Sequence, residues 1–235
     1  MTKYKILIWG AGNRAKTLLT MLGTNHGYFE FKGKKINNYM INYIIDSKKI
    51  SNELDKNIKF IYKKKDFLKA VKESNSFIVT IGSSHGKIRS IISNKLKKFN
   101  LKPISFFSKD FIKDKSVKIG EGCQIMKNVT INSNAIINNY CIFNTSSTVD
   151  HDCIIEEGCH LMPSSTLAGS VKLKKFATVG SNATIIPNIT IKENSYVGAG
   201  STIIKNVSEN QIIVGNPQKF LKFNLPKKPD LKFFK

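Results

Sequence analysis

Ile119-Gly-Glu-Gly-Cys123-Gln-Ile125-Met-Lys-Asn-Val129-Thr-Ile131-Asn-Ser-Asn-Ala135-Ile-Ile137 is the stretch that decides the fold. An apolar residue falls at every sixth position. The spacing runs on without a gap through Phe143, Val149, Ile155, Leu161, Leu167, Leu173, Val179, Ile185, Ile191, Val197 and Ile203. Four residues after each stands a small or β-branched side chain, from Cys123 and Val129 to Ser201 and Val207. A period of six fits neither a free helix nor a plain strand. It is the hexapeptide repeat of a parallel β-helix. The first residue of each repeat points into a triangular prism, and the fifth points inward near a corner. The other four face out. Fifteen repeats taken three to a coil make five coils, each of which buries its apolar side chains only by stacking on its neighbours. Glycines at second or fourth positions (Gly120, Gly122, Gly158, Gly180, Gly198, Gly200) suit turns that need positive φ.

The same register explains the cysteines. Cys123, Cys141, Cys153 and Cys159 all hold the fifth position, so they are expected as small buried apolar groups rather than as disulfides or metal ligands.

Outside residues 118–208 the period disappears. Residues 1–107 alternate strands and helices, which predicts a small parallel α/β sheet. Strands are expected at Lys5–Trp9, Tyr43–Asp46, Lys59–Tyr62, Phe77–Ile81 and Pro103–Phe107, and helices at Arg14–Leu22, Asp66–Lys72 and Lys87–Lys98. Residues 23–41 read as an inserted loop, 108–117 as a linker, and 209–235 as a tail that wraps a neighbour or frays.

Gly10-Ala11-Gly12-Asn13-Arg14-Ala15 follows the first strand and opens the first helix. Such a loop brings a phosphate to a helix N-terminus. Asp46 lies too far on for the ribose-binding acid of a dinucleotide site, and about 100 residues are few for that fold. A phosphate-bearing mononucleotide ligand fits better, with Asp46, Gly82 and Ser83 at the same sheet edge. The competing reading is a tight structural turn.

The net charge is +22, but only two of the 38 basic residues are arginines, Arg14 and Arg89. Base reading and bidentate phosphate contacts lean on Arg, so no sequence-specific nucleic-acid partner is expected. A positive field that attracts phosphorylated substrates needs no motif. The apolar run Ile6–Trp9 is too short for a signal peptide, and no stretch approaches the ~20 apolar residues of a membrane span. The expected compartment is the cytoplasm.

Of four histidines, His26 and His85 lie in loops, while His151 and His160 lie in the repeats at third and sixth positions. Both therefore point out of the prism and are expected at the surface. His151 stands between Asp150 and Asp152, and a neighbouring carboxylate makes imidazole a better proton acceptor. A catalytic zinc site wants three protein ligands, and no third histidine stands at matching spacing, so no metal is expected.

Asn144-Thr-Ser-Ser-Thr-Val-Asp-His151-Asp152-Cys-Ile-Ile-Glu-Glu-Gly-Cys-His160 resembles the active-site stretch of bacterial sugar acyltransferases that join a small Rossmann-like nucleotide-binding domain to a left-handed β-helix. These are the sialic acid O-acetyltransferase and UDP-4-amino-sugar (UDP-N-acetylbacillosamine-type) N-acetyltransferase group. The likeness extends to the opening strand and its loop, to Ile45-Asp46, to Thr80-Ile81-Gly82-Ser83 and to the closing Val214-Gly215-Asn216-Pro217. It departs at Gly12-Asn13-Arg14, where many relatives read Gly-x-Gly-His, and at the insertion 23–41.

The resemblance implies an acetyl-CoA-dependent N-acetyltransferase acting on a nucleotide-linked amino sugar in surface-glycan or O-antigen precursor synthesis. It implies His151 as general base, tuned by Asp152, with Asn144 orienting the site. It assigns acetyl-CoA to His160, Gly180, Ser181, Gly198 and Ala199, in a groove between protomers of a homotrimer. It assigns the nucleotide sugar to Gly10, Gly12, Asn13, Asp46, Gly82 and Ser83. Sugar O-acetylation, a non-catalytic nucleotide-sugar-binding role and a metal-dependent β-helix enzyme remain as alternatives.

Overall fold

The computed structural model describes residues 3–47, 57–225 and 228–234. Its N-terminal half is a five-stranded parallel sheet built from β1 (Tyr4–Trp9), β4 (Tyr39–Ile45), β5 (Lys59–Ile61), β6 (Ser76–Val79) and β7 (Lys102–Pro103), in the order β5-β4-β1-β6-β7. Helices α1 (Asn13–Gly23), α2 (Lys64–Lys72) and α3 (Gly86–Lys97) pack on it. β1 is central and apolar, and Ile6, Leu7 and Ile8 are fully buried, as a parallel strand covered on both faces requires.

The second half is the expected left-handed parallel β-helix. Fifteen two-residue strands, β10 (Lys118–Ile119) to β24 (Thr202–Ile203), form one strand per repeat. Each of the first twelve pairs in parallel with the strand eighteen residues on, as Ile142 does with His160 and His160 with Thr178. The first- and fifth-position side chains make one continuous core, including all four cysteines as free buried thiols. Burial pushes the Cys123 and Cys159 thiols up. Truncating any of these fully buried Ile or Leu residues to Ala would destabilise by roughly 2–5 kcal/mol.

The fourth position of nearly every repeat takes a positive φ, whether it is Asn128, Tyr140, Asp152, Gly158 or Phe176. Second-position Gly180 and Gly198 do not. They are glycines because coils approach closely: a Cβ on Gly180 would stand 2.6 Å from Ala199 N, and one on Gly198 2.7 Å from Val214 Cγ1.

The structure departs from the sequence expectations in four places. Residues 23–41 are not a loop. They hold a hairpin of β2 (Gly27–Phe31) and β3 (Lys34–Ile36) and the start of β4. β2 pairs antiparallel with β8 (Ser105–Ser108), which is itself the first strand of a β-helix face, parallel to Gln124–Ile125. Residues 108–117 are not a free linker, because β9 (Ile112–Lys113) pairs with Thr130–Ile131. The coil therefore starts two repeats earlier, and exposed Lys113 masks the period because no further core lies beneath it.

At the other end the pairing continues past residue 208, through β25 (Gln211–Val214) to the exposed edge strand β26 (Lys219–Phe223). Residues 228–234, the end of the expected tail, return to the N-terminal sheet, where Phe233 is buried.

The two halves are fastened face to face. The outer surface of one β-helix sheet, carrying Gln124, Ile142, His160 and Thr178, is buried against the N-terminal sheet and α3. Arg89 of α3 is fully buried, with no carboxylate on it among the described residues. Its Nε donates to Tyr140 O (3.1 Å), Nη1 to Ile81 O (2.9 Å) and Nη2 to Gly158 O (2.8 Å). Gln124 Nε2 donates to Val79 O at 2.9 Å. Gly86 and Gly158 touch backbone to backbone, since a Cβ on Gly86 would stand 2.1 Å from Gly158 O.

Candidate functional site

His151 sits on the turn after the strand Thr148–Val149, in the second coil above β9, and is half-exposed. The neighbouring residues hold it through a short chain of hydrogen bonds. Asp152, in a left-handed turn at φ 58°, places Oδ2 2.8 Å from His151 Nδ1. Its other oxygen accepts from Asn134 Nδ2 at 3.1 Å. Asp150 Oδ1 accepts from the His151 backbone N–H (2.8 Å) and from Asn132 Nδ2 (2.9 Å).

A carboxylate on Nδ1 fixes the tautomer with the proton there, which leaves Nε2 as the open lone pair. The Asp152 hydrogen bond, then the nearby Asp150 charge, raise the His151 pKa. The same bond, with Asn134, lowers Asp152, while Asn132 and the His151 N–H lower Asp150. Asn132 and Asn134 were not singled out from the sequence, although the eighteen-residue coil period places them directly beneath Asp150 and Asp152. Gly169, eighteen residues after His151, is a third such residue. A Cβ on it would stand 2.6 Å from both Cε1 and Nε2 of the imidazole.

The other expected site residues divide. Asn144 lies at the preceding corner of the prism, after Ile142–Phe143, and spends its Oδ1 on the Thr145 N–H at 3.1 Å. It does not meet the His151–Asp152 pair in this chain. Gly180 and Gly198 stack at that same preceding corner. Their N–H groups donate to Val197 O (2.8 Å) and Ile213 O (2.7 Å), so neither is open to an acyl donor. Exposed Ala199 and half-buried Ser181 remain beside them.

His160 corrects a sequence expectation. It does point out of the prism, but the N-terminal half lies over it and leaves it buried. Its Nδ1 donates to Ser83 O at 3.0 Å, and its Nε2 is buried without a partner among the described residues. Burial, with Arg89 and Arg14 nearby, pushes its pKa down to about 3. It is a neutral imidazole in the interdomain seam, away from His151.

The sheet edge does gather its expected residues. Gly10, with φ 102°, lies under Thr80, whose Oγ1 donates to Gly10 O at 2.6 Å. Asp46 Oδ2 accepts from the Ala11 N–H at 2.8 Å, which ties the loop to the end of β4. Gly12 caps α1, whose first turn has no acidic residue and no side-chain cap. Gly12 and Asn13 are exposed, so the orphan N–H groups of that turn can face an anion.

Arg14 belongs with them, although the sequence reading left it out. Its Nε lies 3.3 Å from where a Gly82 Cβ would be, which is a reason for glycine at 82. Its Nη1 is buried and has no partner among the described residues, and burial lowers its pKa to about 10. Beyond Ser83 the seam opens into a cleft of about 460 Å³ between Ser84, Tyr196, Ile212 and Lys222–Leu225. Among the described residues no three His, Cys, Asp or Glu groups converge as metal ligands would, and no helix is long and apolar enough to cross a membrane.

Comparison with known proteins bears on the fold. Residues 116–151 match the bacterial transferase hexapeptide (six repeats) family. The chain carries the hexapeptide repeat of bacterial transferases.

A histidine-to-asparagine variant of perosamine N-acetyltransferase from Caulobacter crescentus, solved with CoA and GDP-perosamine, is 25% identical with a TM-score of 0.79. The match covers 93% of this chain and 97% of that one. The acetyltransferase domain of PglB from Neisseria gonorrhoeae, solved with acetyl coenzyme A, is 21% identical with a TM-score of 0.76. It covers 94% of this chain and 100% of its own. WeeI from Acinetobacter baumannii is 22% identical with a TM-score of 0.77, covering 93% and 100%. The last two carry the fold alone. A comparison with curated proteins returned no match. A small α/β domain followed by a β-helix is thus the architecture shared along nearly the whole chain.

Proposed function

We propose that this protein is an acetyl-CoA-dependent N-acetyltransferase acting on the amino group of a nucleotide-linked amino sugar, a cytoplasmic step in making surface-glycan or O-antigen precursors. The observation that carries the reading is the His151–Asp152 pair, with Nδ1 held by the carboxylate and Nε2 open. It stands on an architecture matched by a perosamine N-acetyltransferase solved with CoA and GDP-perosamine.

In the reaction the sugar amine attacks the thioester carbonyl. The N–C bond forms, the C–S bond breaks, and the amine proton passes to His151 Nε2. The departing thiolate takes a proton to leave as CoA. A positioned imidazole supplies about 10²–10⁴-fold. Asp152 holds the tautomer and stabilises the imidazolium. The nucleotide binds at the Gly10–Asn13 loop, Asp46, Gly82 and Ser83, with its phosphates on the α1 N-terminus and Arg14.

The acyl donor lies against Ser181 and Ala199. These stand at the corner of the prism before the His151 corner, so donor and base meet only when the corner of a second copy is brought up. This supports a homotrimer with sites between protomers. The buried, seam-bound His160 shapes the wall of the acceptor side rather than touching the thioester.

The test is acetyl transfer from acetyl-CoA, followed as free thiol, across UDP-, dTDP- and GDP-linked 3- and 4-amino sugars and sialic acid. Turnover of an amino sugar that His151→Ala lowers by about two to four orders of magnitude, with the fold intact, is the expected result. Turnover of sialic acid alone moves the reading to O-acetylation. Unchanged turnover in His151→Ala overturns the mechanism.

A further inference from the structure

Residues 228–234 lie beyond the β-helix in sequence, yet they pack on the N-terminal sheet. The Phe234 ring stacks on Trp9 with centroids 5.0 Å apart and planes 6° from parallel. Phe233 meets Trp9 edge-on at 5.4 Å and is buried. Phe67 touches both rings, at 5.9 and 5.3 Å, and Lys95 Nζ lies 5.3 Å from the Phe234 centroid. Lys232 Nζ donates to Ser47 O, and its N–H is held by Asp230 Oδ1 at 3.1 Å.

These contacts fall on particular places. Trp9 ends β1 and adjoins Gly10, while Ser47 adjoins Asp46. Gly10 and Asp46 belong to the edge assigned to the nucleotide, and they are already joined. Gly10 N–H donates to Ile45 O at 2.7 Å, and Ala11 N–H to Asp46 Oδ2 at 2.8 Å. Thr80 holds that loop from one side. The strap holds the two residues on which it hinges. The Trp9 backbone is held in the sheet, its O accepting from the Thr80 N–H at 2.8 Å, while its ring is packed by Phe67, Phe233 and Phe234. An aromatic stack adds about 0.5–1.5 kcal/mol beyond its area, and here several converge on Trp9.

We infer that residues 228–234 are a positioning strap for the nucleoside diphosphate of the substrate, keeping the Gly10–Gly12 loop and the Asp46 edge in their binding arrangement. Its residues touch no reacting atom, and their effect is on the competent population of the loop. If undocking leaves that loop competent about a tenth of the time, apparent affinity falls about tenfold. The inference rests on the nucleotide-binding reading of that edge, and the experiment separates the two.

Trp9 is the only tryptophan, so its emission reads whether the strap is docked. In the full chain, Phe233→Ala/Phe234→Ala is expected to shift Trp9 emission to the red and speed amide exchange in 9–12 and 44–47. It is expected to weaken the best bound of UDP, GDP and dTDP by about tenfold, with acetyl-CoA affinity unchanged. Phe234→Tyr, which keeps the stack, restores all three readouts. Lys232→Ala removes the Ser47 contact and the Nζ contact with the Phe233 ring, while leaving both phenyl rings on Trp9. It serves where the double variant fails to fold, with exchange rising at 44–47 alone.

Red-shifted emission with unaltered exchange in the loop overturns the strap, as does equal weakening of nucleotide and acetyl-CoA. If no diphosphate binds the unaltered protein, the nucleotide reading falls, and the exchange result alone decides whether the strap holds the loop.

Discussion

Gly169 lies directly against the imidazole of His151, so that a Cβ on it would stand 2.6 Å from both Cε1 and Nε2. That separation is well inside van der Waals contact, and the ring is the side that can move. Gly169→Ala should therefore turn the imidazole off its line without unfolding a β-helix whose core it does not enter. A misplacement of about 1 Å can lose on the order of 10²-fold in rate. The expected outcome is kcat down by roughly 10–100-fold, with thermal stability and acetyl-CoA binding unchanged. Full activity in that variant would mean the ring has room that the structure does not provide.

The Asp152 contact sets the pH dependence. In the proposed reaction His151 takes the amine proton only when deprotonated, and its pKa is raised, first by the Asp152 hydrogen bond and then by the Asp150 charge. Activity should therefore rise with pH through a midpoint above the ordinary histidine value of about 6.5. Asp152→Asn removes the larger cause. Its midpoint should move down toward about 6.5, while its plateau falls because the amide no longer holds the tautomer. Asn134→Ala removes a weaker support, through Asp152, and should move the same limb less. The kcat/KM profiles of the three proteins check this, and coincident midpoints would remove Asp152 from the role.

The repeat was legible because each coil repeats the same requirement, an inward apolar residue and a small corner residue, so fifteen weak signals add. The ends were not legible for the same reason. Lys113 takes a first position where no core lies below it, and the hairpin 27–36 caps that end with strands too short to carry a period. His160 marks a different limit. Its outward direction was correct, but whether an outward residue meets water depends on what docks there, and one sheet face is covered by the other domain. Asn132, Asn134 and Gly169 were within reach of the eighteen-residue period once His151 had been chosen. The packing of Phe233 on Trp9 joins positions near the two ends of the chain, and no local pattern encodes it.

Arg14 makes a prediction with two parts of opposite sign. A buried guanidinium whose Nη1 has no partner among the described residues carries an uncompensated desolvation cost at that atom, which an anion would offset. Arg14→Met should leave stability unchanged or raise it, because the desolvated charge is gone while the apolar bulk stays. The same change should weaken nucleoside diphosphate binding by about 10–100-fold, the value of one or two hydrogen bonds to a charged group. Denaturant midpoints and calorimetric titration with UDP, GDP and dTDP read the two parts separately. A variant that is both less stable and equally tight would make Arg14 a structural residue.

His160 predicts how the seam responds to acid. Its pKa is about 3 in the folded protein, chiefly through burial and then through Arg89 and Arg14, against about 6.5 in an unfolded chain. A depressed value means the unfolded state takes up the proton first. The contribution to stability is therefore complete above about pH 6.5 and is lost progressively as the pH falls toward 3. At pH 4.5 about 2–3 kcal/mol of it should be gone, at 1.36 kcal/mol per unit. His160→Asn keeps a donor for Ser83 O and cannot titrate. Urea midpoints at pH 7.5 and 4.5 should fall less in that variant than in the unaltered protein, by about that amount. Parallel losses in the two proteins would place the acid sensitivity in other groups and leave His160 a packing residue.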